Sequence, residues 1–328
     1  MRMRTMGAVA AMAAAGTVAQ AQFSTNFESP YSASGAGTLL TGQQGWYLPI
    51  VGSTDFSAYT YADNALGIAA NPTGGAQFIA AVWPGGTAYG RAQHPVDFSA
   101  GGQWTVSWDV LGMFNGTLPA VENLGSFSLQ DSTLARYWQQ LMNWGTHAAD
   151  ATLFDINYGV FDSAGVGITF LSPGPEWQGL QVNHWYRQST TWDFETNLIT
   201  EVTLTDLTTG VQATAHPAGW YLAGGAASAL PLPTDIRVFA GGSGTATGNI
   251  TAWDNITVAP AAPPCGSADF NCDGDVGTDQ DIGSFFACLA GTCPPAPCAS
   301  TADFNGDGDV GTDQDIEAFF RVLAGGSC

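Results

Sequence analysis

Asp269-Phe-Asn-Cys-Asp-Gly-Asp-Val-Gly-Thr-Asp-Gln-Asp-Ile282 decides the fold of the C-terminal part of this 328-residue chain. The stretch returns as residues 303–316 with one internal change, Gly306 in place of Cys272. After each copy, apolar residues recur three, four and seven positions beyond Ile282 and Ile316. This spacing is typical of one apolar face of an α-helix. The sequence therefore predicts two loop–helix units in tandem.

Side-chain oxygens recur at fixed positions of the two loops. Positions 1, 3 and 5 are Asp, Asn and Asp, position 6 is Gly, and position 7 is an Asp whose backbone carbonyl would face an ion. Calcium prefers six or more oxygen ligands, so the pattern predicts a calcium ion in each loop. The alternative is a pair of solvated acidic turns, but two matched copies favour calcium. The predicted ligands are Asp269, Asn271, Asp273, Asp275, Asp303, Asn305, Asp307 and Asp309.

Two loop–helix units of this kind resemble the type I dockerin module, in which paired calcium loops each precede a helix. The resemblance spans residues 265–328 and implies a cohesin-like protein partner. That family has its last acidic ligand at position 12, which here is Gln280 or Gln314. We expect the last ligands to be Asp281 and Asp315, one residue later, because each directly precedes the apolar helix face.

The same resemblance implies that partner-reading residues lie at loop positions 10 and 11. These are Thr278-Asp279 in the first copy and Thr312-Asp313 in the second. A competing interpretation gives each Thr the role of helix N-cap and each Asp the role of a first-turn acid. Both interpretations place a helix start at these residues.

All six cysteines lie from Cys265 onward. Six cysteines allow 15 pairings. Cys272 and Cys288 both occur in the first copy, whereas the second copy has Gly306 and Val322 there, so their joint absence predicts a Cys272–Cys288 disulfide. The remaining predicted pairs are Cys265–Cys293 and Cys298–Cys328. The alternative, a thiolate zinc site, is disfavoured because carboxylate loops suit a harder ion.

The N-terminus has the three regions of a secretory signal peptide: Met1-Arg-Met-Arg4, an Ala-rich apolar run, and Ala19-Gln-Ala21. We expect residues 1–21 to be removed and the protein to be secreted, to the cell surface or the medium. No later run approaches the roughly 20 apolar residues that span a bilayer, so no membrane insertion is expected. A net charge of −21, with no Lys, argues against a nucleic-acid partner.

Short apolar or alternating runs separated by turn residues fill residues 22–258 and predict an all-β domain. Trp104-Thr-Val-Ser-Trp-Asp-Val110 is the clearest strand, with Trp104, Trp108 and the valines on a core face and Thr105, Ser107 and Asp109 on a wet face. Leu134 to Met142 is the one candidate helix. Further predicted strands are Gln77–Val82, Ser126–Gln130, Asp155–Phe161, Trp185–Asp193, Thr200–Leu207, Asp235–Ala240 and Asn249–Val258. The predicted fold class is mainly β: a jelly-roll β-sandwich followed by a small, α-helical, disulfide-stapled tandem calcium-loop module.

The order of several short motifs resembles a concanavalin A-like, laminin-G-like sandwich. They are Asn26-Phe-Glu28, His184 to Asp193, Thr205 to Gly210 and Trp253 to Val258. Many such sandwiches pair their first and last strands around a structural calcium, which the resemblance places on Glu28 and Asp254. The alternative is two exposed carboxylates. A Pro/Ala linker at residues 259–264 separates this domain from the module at 265–328.

Exposed aromatic side chains can stack on sugar rings, and all eleven Trp lie before the linker. Trp138, Trp144, Trp177 and Trp220 are candidates because turn or polar residues surround them, although a single Trp of this kind is more often part of core or loop packing. No catalytic residue is predicted, since the Glu-x-Asp-x-x-Glu pattern of laminarinase-type sandwiches is absent; the nearest pair is Asp193 and Glu195. The predicted function is non-catalytic polysaccharide binding or surface assembly. The alternative is a glycoside hydrolase or polysaccharide lyase.

Overall fold

The computed structural model describes residues 22–114, 125–131, 141–147, 150–228, 230–241, 248–261, 266–295, 298, 301–306 and 309–324. The described residues belong to two compact units, one within Ala21–Ala261 and one within Ala262–Cys328. The predicted signal peptide and residues 262–264 of the predicted linker lie outside the described residues. No helix in the described ranges is long and apolar enough to cross a membrane.

The larger unit is built from antiparallel strands, which we number in chain order. They are β1 (Phe23–Thr25), β2 (Thr38–Leu39), β3 (Ser57–Thr60), β4 (Gln77–Val82), β5 (Gly90–Pro95), β6 (Gln103–Met113), β7 (Gly125–Gln130), β8 (Leu141–His147), β9 (Asp150–Phe161), β10 (Gly167–Leu171), β11 (Leu180–Gln181), β12 (Tyr186–Asp193), β13 (Leu198–Asp206), β14 (Gln212–Ala215), β15 (Asp235–Ala240) and β16 (Ile250–Pro260).

Two sheets form the sandwich. The first has the order β14-β13-β12-β6-β16-β4-β3-β2 with β1 paired to β16, and the second has the order β10-β9-β8-β7-β15-β5 with β11 paired to β9. The first strand therefore pairs with the last, as the sandwich resemblance implied. β16 continues to Pro260, two residues into the predicted linker.

The core lies between the two sheets and follows the alternation read from the sequence. Trp104, Val106 and Trp108 of β6 are fully buried, and Trp108 stacks on Phe127 of β7 with ring centroids 4.1 Å apart. Because β7 belongs to the opposite sheet, this stacking joins the two layers. Fully burying one large apolar side chain contributes roughly 1.5–3 kcal/mol, so such residues specify the sandwich.

The outer face of the first sheet is not uniformly exposed to solvent. The segment between β3 and β4 covers one end of it, where Ile68 packs with Leu111, Trp185 and Ala252. Asp109 lies on this covered part with no exposed surface, so its expected exposure was wrong. Burying a carboxylate costs free energy unless polar partners surround it. Asp109 is therefore expected to be the centre of a polar network.

The predicted strands are present, with boundaries shifted by a few residues at most in all but one. β9 is the exception, because it begins at Asp150 rather than Asp155. The candidate helix is wrong where it can be seen, since Leu141 and Met142 begin β8 and pair with Gly159 and Tyr158 of β9. Sheet pairing there overrides a helical spacing that was ambiguous in sequence. The rest of that segment lies outside the described residues.

The smaller unit contains two helices of equal length, α1 (Asp279–Leu289) and α2 (Asp313–Leu323). Phe285 of α1 stacks on Phe319 of α2 at 4.2 Å, and both are fully buried. Phe270 and Phe304, one residue after the start of each loop, complete this core. The mainly β fold class, with a jelly-roll sandwich and a small helical module, is confirmed.

The disulfide pairing differs from the prediction. Cys272 bonds Cys298, and Cys288 bonds Cys293, so the predicted Cys272–Cys288, Cys265–Cys293 and Cys298–Cys328 pairs are wrong. The joint absence of two cysteines from the second copy was misleading, because each first-copy cysteine finds its partner in the segment between the copies. Cys265 and Cys328 lie outside the described residues.

Candidate metal and ligand sites

The first loop folds back on itself through its predicted ligands. Asp269 Oδ2 accepts a hydrogen bond from Gly274 N, Asn271 Oδ1 accepts from Asp273 N, and Asp273 Oδ1 accepts from Asp275 N. Gly274 has φ of +91°, a conformation that glycine adopts without strain. The repeated acid–amide–acid spacing thus gives a tight turn with side-chain oxygens on its inner side.

Asp281 and Asp315 have a second task besides the predicted ligation. Each is the third residue of its helix, and each forms a capping box with the Thr N-cap, Thr278 or Thr312. Asp281 Oδ1 also accepts from Asn271 N at 3.3 Å. Burial raises the pKa of Asp281, but its hydrogen bonds lower the pKa by more, so the pKa lies below its ordinary value. Both acids are fully buried. They therefore tie the start of each helix to the start of its loop.

The second loop repeats this arrangement as far as it can be seen. Asp315 Oδ1 accepts from Phe304 N at 2.7 Å and from Asn305 N at 3.3 Å. Asp303 is partly buried and Asp309 is exposed, as their counterparts Asp269 and Asp275 are in the first loop. The fifth-position ligand, Asp307, lies outside the described residues.

The donor set of the first loop fits calcium. It offers carboxylate and amide oxygens, the ligands that a hard cation prefers. Asp269 Oδ1 is buried and has no hydrogen-bond partner in the described structure, which leaves one buried oxygen available to an ion. Across the described ranges, no three His, Cys, Asp or Glu side chains converge as a metal cluster. The loop oxygens instead hydrogen bond to their own backbone amides.

Glu28 and Asp254 approach the same short segment of the sandwich. Glu28 Oε1 accepts from Ala76 N at 2.6 Å and from Gln77 N at 2.8 Å. A Cβ atom at Gly75 would collide with Glu28 Oε1, and one at Gly74 would collide with Asp254 Oδ2. The structure therefore brings both predicted ligands against adjacent glycines, where only glycine leaves room.

Asp254 belongs to the polar network that includes Asp109. The two residues lie opposite each other on β16 and β6, and Arg187 lies opposite Asp109 on β12. Arg187 binds both oxygens of Asp109, with Nε–Oδ1 at 2.7 Å and Nη2–Oδ2 at 2.9 Å. Asp254 Oδ2 accepts from Tyr61 Oη at 3.0 Å and from Asn71 Nδ2 at 3.2 Å.

The two buried carboxylates differ in their partners. Asp109 has the guanidinium, whereas the partners of Asp254 among the described residues are uncharged hydroxyl and amide groups. Burial first, and then repulsion from Asp109, raise the pKa of Asp254 to about 7. A cation near Asp254 would relieve both costs. The chemistry of this site therefore fits the calcium that the sandwich resemblance implied.

The tryptophans are mostly structural. Trp177 is 1% exposed and is wrong as a sugar-stacking candidate, while Trp220 is partly buried and packs on Tyr158. Trp138 and the side chain of Trp144 lie outside the described part of the chain. The indole rings that can be seen therefore build the core rather than a sugar-binding platform.

Asp193 and Glu195 do not form the strand-face pair considered for catalysis. β12 ends at Asp193, and Asp193 Oδ1 accepts from the backbone N of Glu195 at 2.9 Å and from that of Thr196 at 3.2 Å. Asp193 therefore closes a turn, and Glu195 lies in that turn.

A cavity of about 520 Å³ opens at one end of the first sheet. Its lining residues come from β12, β13 and β14 of the first sheet, from β11 of the second sheet, and from the loops beside these strands. This volume is within the range of small-molecule sites, about 300–1,000 Å³. Its lining residues are Glu176, Gly179, Leu180, Gln181, His184, Tyr186, Leu204, Asp206, Thr209, Val211, Gln212 and Ala213.

The polar groups of this cavity are held in place by hydrogen bonds. His184 Nε2 and Asp206 Oδ1 are 2.8 Å apart, and Asp206 Oδ1 also accepts from the backbone N of Thr208 and Thr209. The buried Tyr186 hydroxyl accepts from Gln181 N at 3.0 Å. Sequence analysis missed this site, although His184 and Asp206 both lie in the motifs that carry the sandwich resemblance. Only the pairing of β12 with β13 brings them together.

No protein-family model and no curated protein matches the chain. Solved structures of similar arrangement include a carbohydrate esterase from the Shiga toxin-encoding bacteriophage phi24B, 13% identical, covering 75% of this chain and 100% of that chain with a TM-score of 0.44. Peanut lectin is 10% identical over 69% of this chain and 97% of its own, with a TM-score of 0.39. A cellulose-induced protein is 13% identical over 73% and 97%, with a TM-score of 0.37. The sandwich assignment rests on the two antiparallel sheets themselves.

Proposed function

We propose that this chain is a secreted, non-catalytic carbohydrate-binding β-sandwich with a calcium-dependent docking module at its C-terminus. The observation that carries the carbohydrate half is the cavity lined by Leu180, Tyr186 and Leu204 together with His184 and Asp206. Sugars present apolar ring faces and hydroxyl groups, so a site that binds them needs an apolar floor and fixed polar groups. This cavity has both.

A substitution that blocks the cavity tests the carbohydrate half. Val211 lines the cavity and is 68% exposed, so Val211→Arg should fill it without disturbing the core. Val166, 62% exposed and away from the cavity, provides the matched control Val166→Arg. On a glycan array we expect wild type and Val166→Arg to bind the same glycans and Val211→Arg to lose them. An array without any wild-type binding contradicts the proposal.

The docking half rests on the duplicated loop–helix unit. Asp279 and Asp313 are exposed at the first residue of α1 and α2, while Thr278 and Thr312 beside them cap the helices. The two copies therefore present matching surfaces. A cohesin-like partner could engage either copy, so loss of one surface should be tolerated and loss of both should not.

Calcium binding is tested by calorimetry on the full-length protein. We expect about three ions, one in each loop and one at Glu28 and Asp254, with affinities as weak as roughly 0.1–1 mM, as in extracellular modules. Asp269→Asn should remove one ion, and Asp254→Asn should remove another. Asp279→Asn, which deletes the same charge outside the ligand set, should remove none. Equal stoichiometry in all four proteins would mean that these acids do not hold calcium.

Docking is tested by retention of secreted proteins on immobilised full-length chain with calcium present. Asp279→Ala and Asp313→Ala are suitable variants because they leave the Thr caps intact. Each single variant should retain the same partner as wild type, and the double variant should lose it. If the double variant retains the partner fully, the module only stabilises the chain and docking must be abandoned.

Hydrolysis of a glycan is the second candidate function, and one observation favours it. Glu176 and Asp206 line the same cavity, and glycosidases use two carboxylates. Release of reducing ends from any glycan that binds on the array, abolished in Glu176→Gln and Asp206→Asn, would establish catalysis and replace the binding proposal.

A further inference from the structure

The charge of the cavity is one-sided. Glu176 and Asp206 border it, and no Arg or Lys is among its lining residues in the described structure. The chain has no Lys at all. Arg187, which follows the lining residue Tyr186 on β12, is paired with Asp109. The imidazole of His184 also lines the cavity, but it is already paired with Asp206. A carboxylated sugar would therefore meet like charge here, which disfavours its binding.

The carboxylate of Asp206 is fixed as well as charged. Burial alone would raise the pKa of Asp206. The hydrogen bonds from His184 and from the amides of Thr209 and Thr208 lower it by more, so the pKa of Asp206 lies below its ordinary value. His184 reaches Asp206 through Nε2, which leaves the other ring nitrogen outside this pair. The cavity thus offers an ionised acceptor that cannot swing away.

The remaining contacts suit a pyranose ring. Leu180, Leu204 and Ala213 give the cavity apolar surface. The hydroxyl of Tyr186 accepts from Gln181 N, and its own proton has no acceptor among the described residues. Tyr186 is only 4% exposed, so a ligand oxygen in the cavity is the natural acceptor.

We propose that this cavity binds amino sugars, with the ammonium group at the Asp206 and Glu176 carboxylates and the sugar ring over Leu180 and Leu204. The inference rests on the proposed carbohydrate function and names the ligand class of the same site. Ammonium–carboxylate hydrogen bonds are about twice as strong as neutral ones, so the free amine dominates selection. The overall charge of −21 also concentrates cationic glycans near the protein.

Titration of the full-length protein with three oligosaccharides tests the ligand class. The probes are glucosamine oligomers, N-acetylglucosamine oligomers of the same length, and alginate oligomers, each followed by calorimetry at about pH 6, where amines are charged. We expect glucosamine oligomers to bind at least about tenfold more tightly than their N-acetylated counterparts. Alginate should bind most weakly.

Substitution of Glu176 tests the position of the site. Glu176 is exposed, so Glu176→Gln should fold normally and weaken glucosamine binding by roughly tenfold, as loss of a charge-assisted hydrogen bond does. Glu195, an exposed acid outside the cavity, provides the control Glu195→Gln, which should bind like wild type. Salt should weaken the wild-type interaction with glucosamine more than with N-acetylglucosamine.

The outcomes separate the two proposals. Equal or tighter binding of N-acetylglucosamine, with loss in Val211→Arg, keeps the carbohydrate site and overturns the amino-sugar inference. Equal weakening by Glu176→Gln and Glu195→Gln also overturns it, because the effect would then be a general charge effect. Absence of binding to any of the three oligomers overturns the amino-sugar inference, and the glycan array then decides the carbohydrate proposal separately.

Discussion

The sandwich and the C-terminal module keep their folds by different chemistry. The sandwich contains all eleven Trp and no Cys, whereas every Cys lies from Cys265 onward. Trp108 and Trp253 pack against Phe127 in a core between two large sheets. In the module, Phe285 and Phe319 form a much smaller core, and two disulfides join its described residues.

Chain length explains this difference. A short domain buries a smaller fraction of its surface than a long one, and its core alone leaves little net stability. The module therefore relies on covalent bonds and, by our proposal, on calcium. The two units should therefore respond to different perturbations.

Removal of disulfides and calcium should unfold the module, whereas the sandwich should lose only its proposed ion at Glu28 and Asp254 and stay folded around its large core. Each disulfide contributes typically 2–4 kcal/mol, and without calcium the loop acids repel one another. Hydrogen–deuterium exchange in reductant and chelator should show full exchange in α1 and α2. Tryptophan fluorescence, which reports only the sandwich, should keep the spectrum of the folded state. Unfolding of the sandwich together with the module, seen as a shift of the fluorescence to that of the unfolded state, would show that the units are not independent.

Trp108→Ala should have the opposite effect. Trp108 is fully buried and stacked on Phe127, so its truncation should cost about 3–5 kcal/mol of sandwich stability. Urea denaturation followed by fluorescence measures this loss. Trp220→Ala, at a partly buried position, is the control and should cost less. Exchange rates in α1 and α2 should match those of wild type.

An ion pair in each unit gives a sharper comparison. Arg187→Ala leaves Asp109 buried without its guanidinium and should cost about 3–5 kcal/mol. Arg321→Ala removes an exposed pair with Glu317 and should cost less than about 0.5 kcal/mol. Denaturation midpoints of the two variants decide this, and similar losses would contradict the assigned burial of Asp109.

Loss of a helix cap should cost less than loss of the buried Arg187–Asp109 pair. Thr312→Ala removes the capping box of α2 and should cost about 1 kcal/mol, as N-cap loss typically does. Thr278→Ala removes the same cap in the copy that also has Cys272–Cys298, so local opening there should increase less. Exchange at the first turn of each helix measures both. Equal increases would mean that the disulfide does not restrain the first loop.

Much of this architecture could be predicted because its signals are local. Alternation of Trp104, Val106 and Trp108 identified a core strand, and the spacing after Ile282 identified a helix. Thr278 and Thr312 were predictable caps, since an N-cap depends only on residues within one turn. Such features need no knowledge of distant parts of the chain.

The remaining features depend on long-range pairing. Asp109 was assigned to a wet face, and nothing nearby in sequence shows that the segment before β4 covers it. His184 and Asp206 meet only because β12 pairs with β13. The Cys272–Cys298 bond likewise joins residues 26 positions apart, which spacing within one copy could not show.

Each loop of the module also lies close to the helix of the other copy. A Cβ atom at Gly277 would lie 3.6 Å from Leu323, and one at Gly311 would lie 3.2 Å from Leu289. The contacts are reciprocal, so ordering one loop restrains the helix that follows the other. Two ions bound here would then not titrate independently: the first would lower the ordering cost for the second, and the saturation curve would have a Hill coefficient above one.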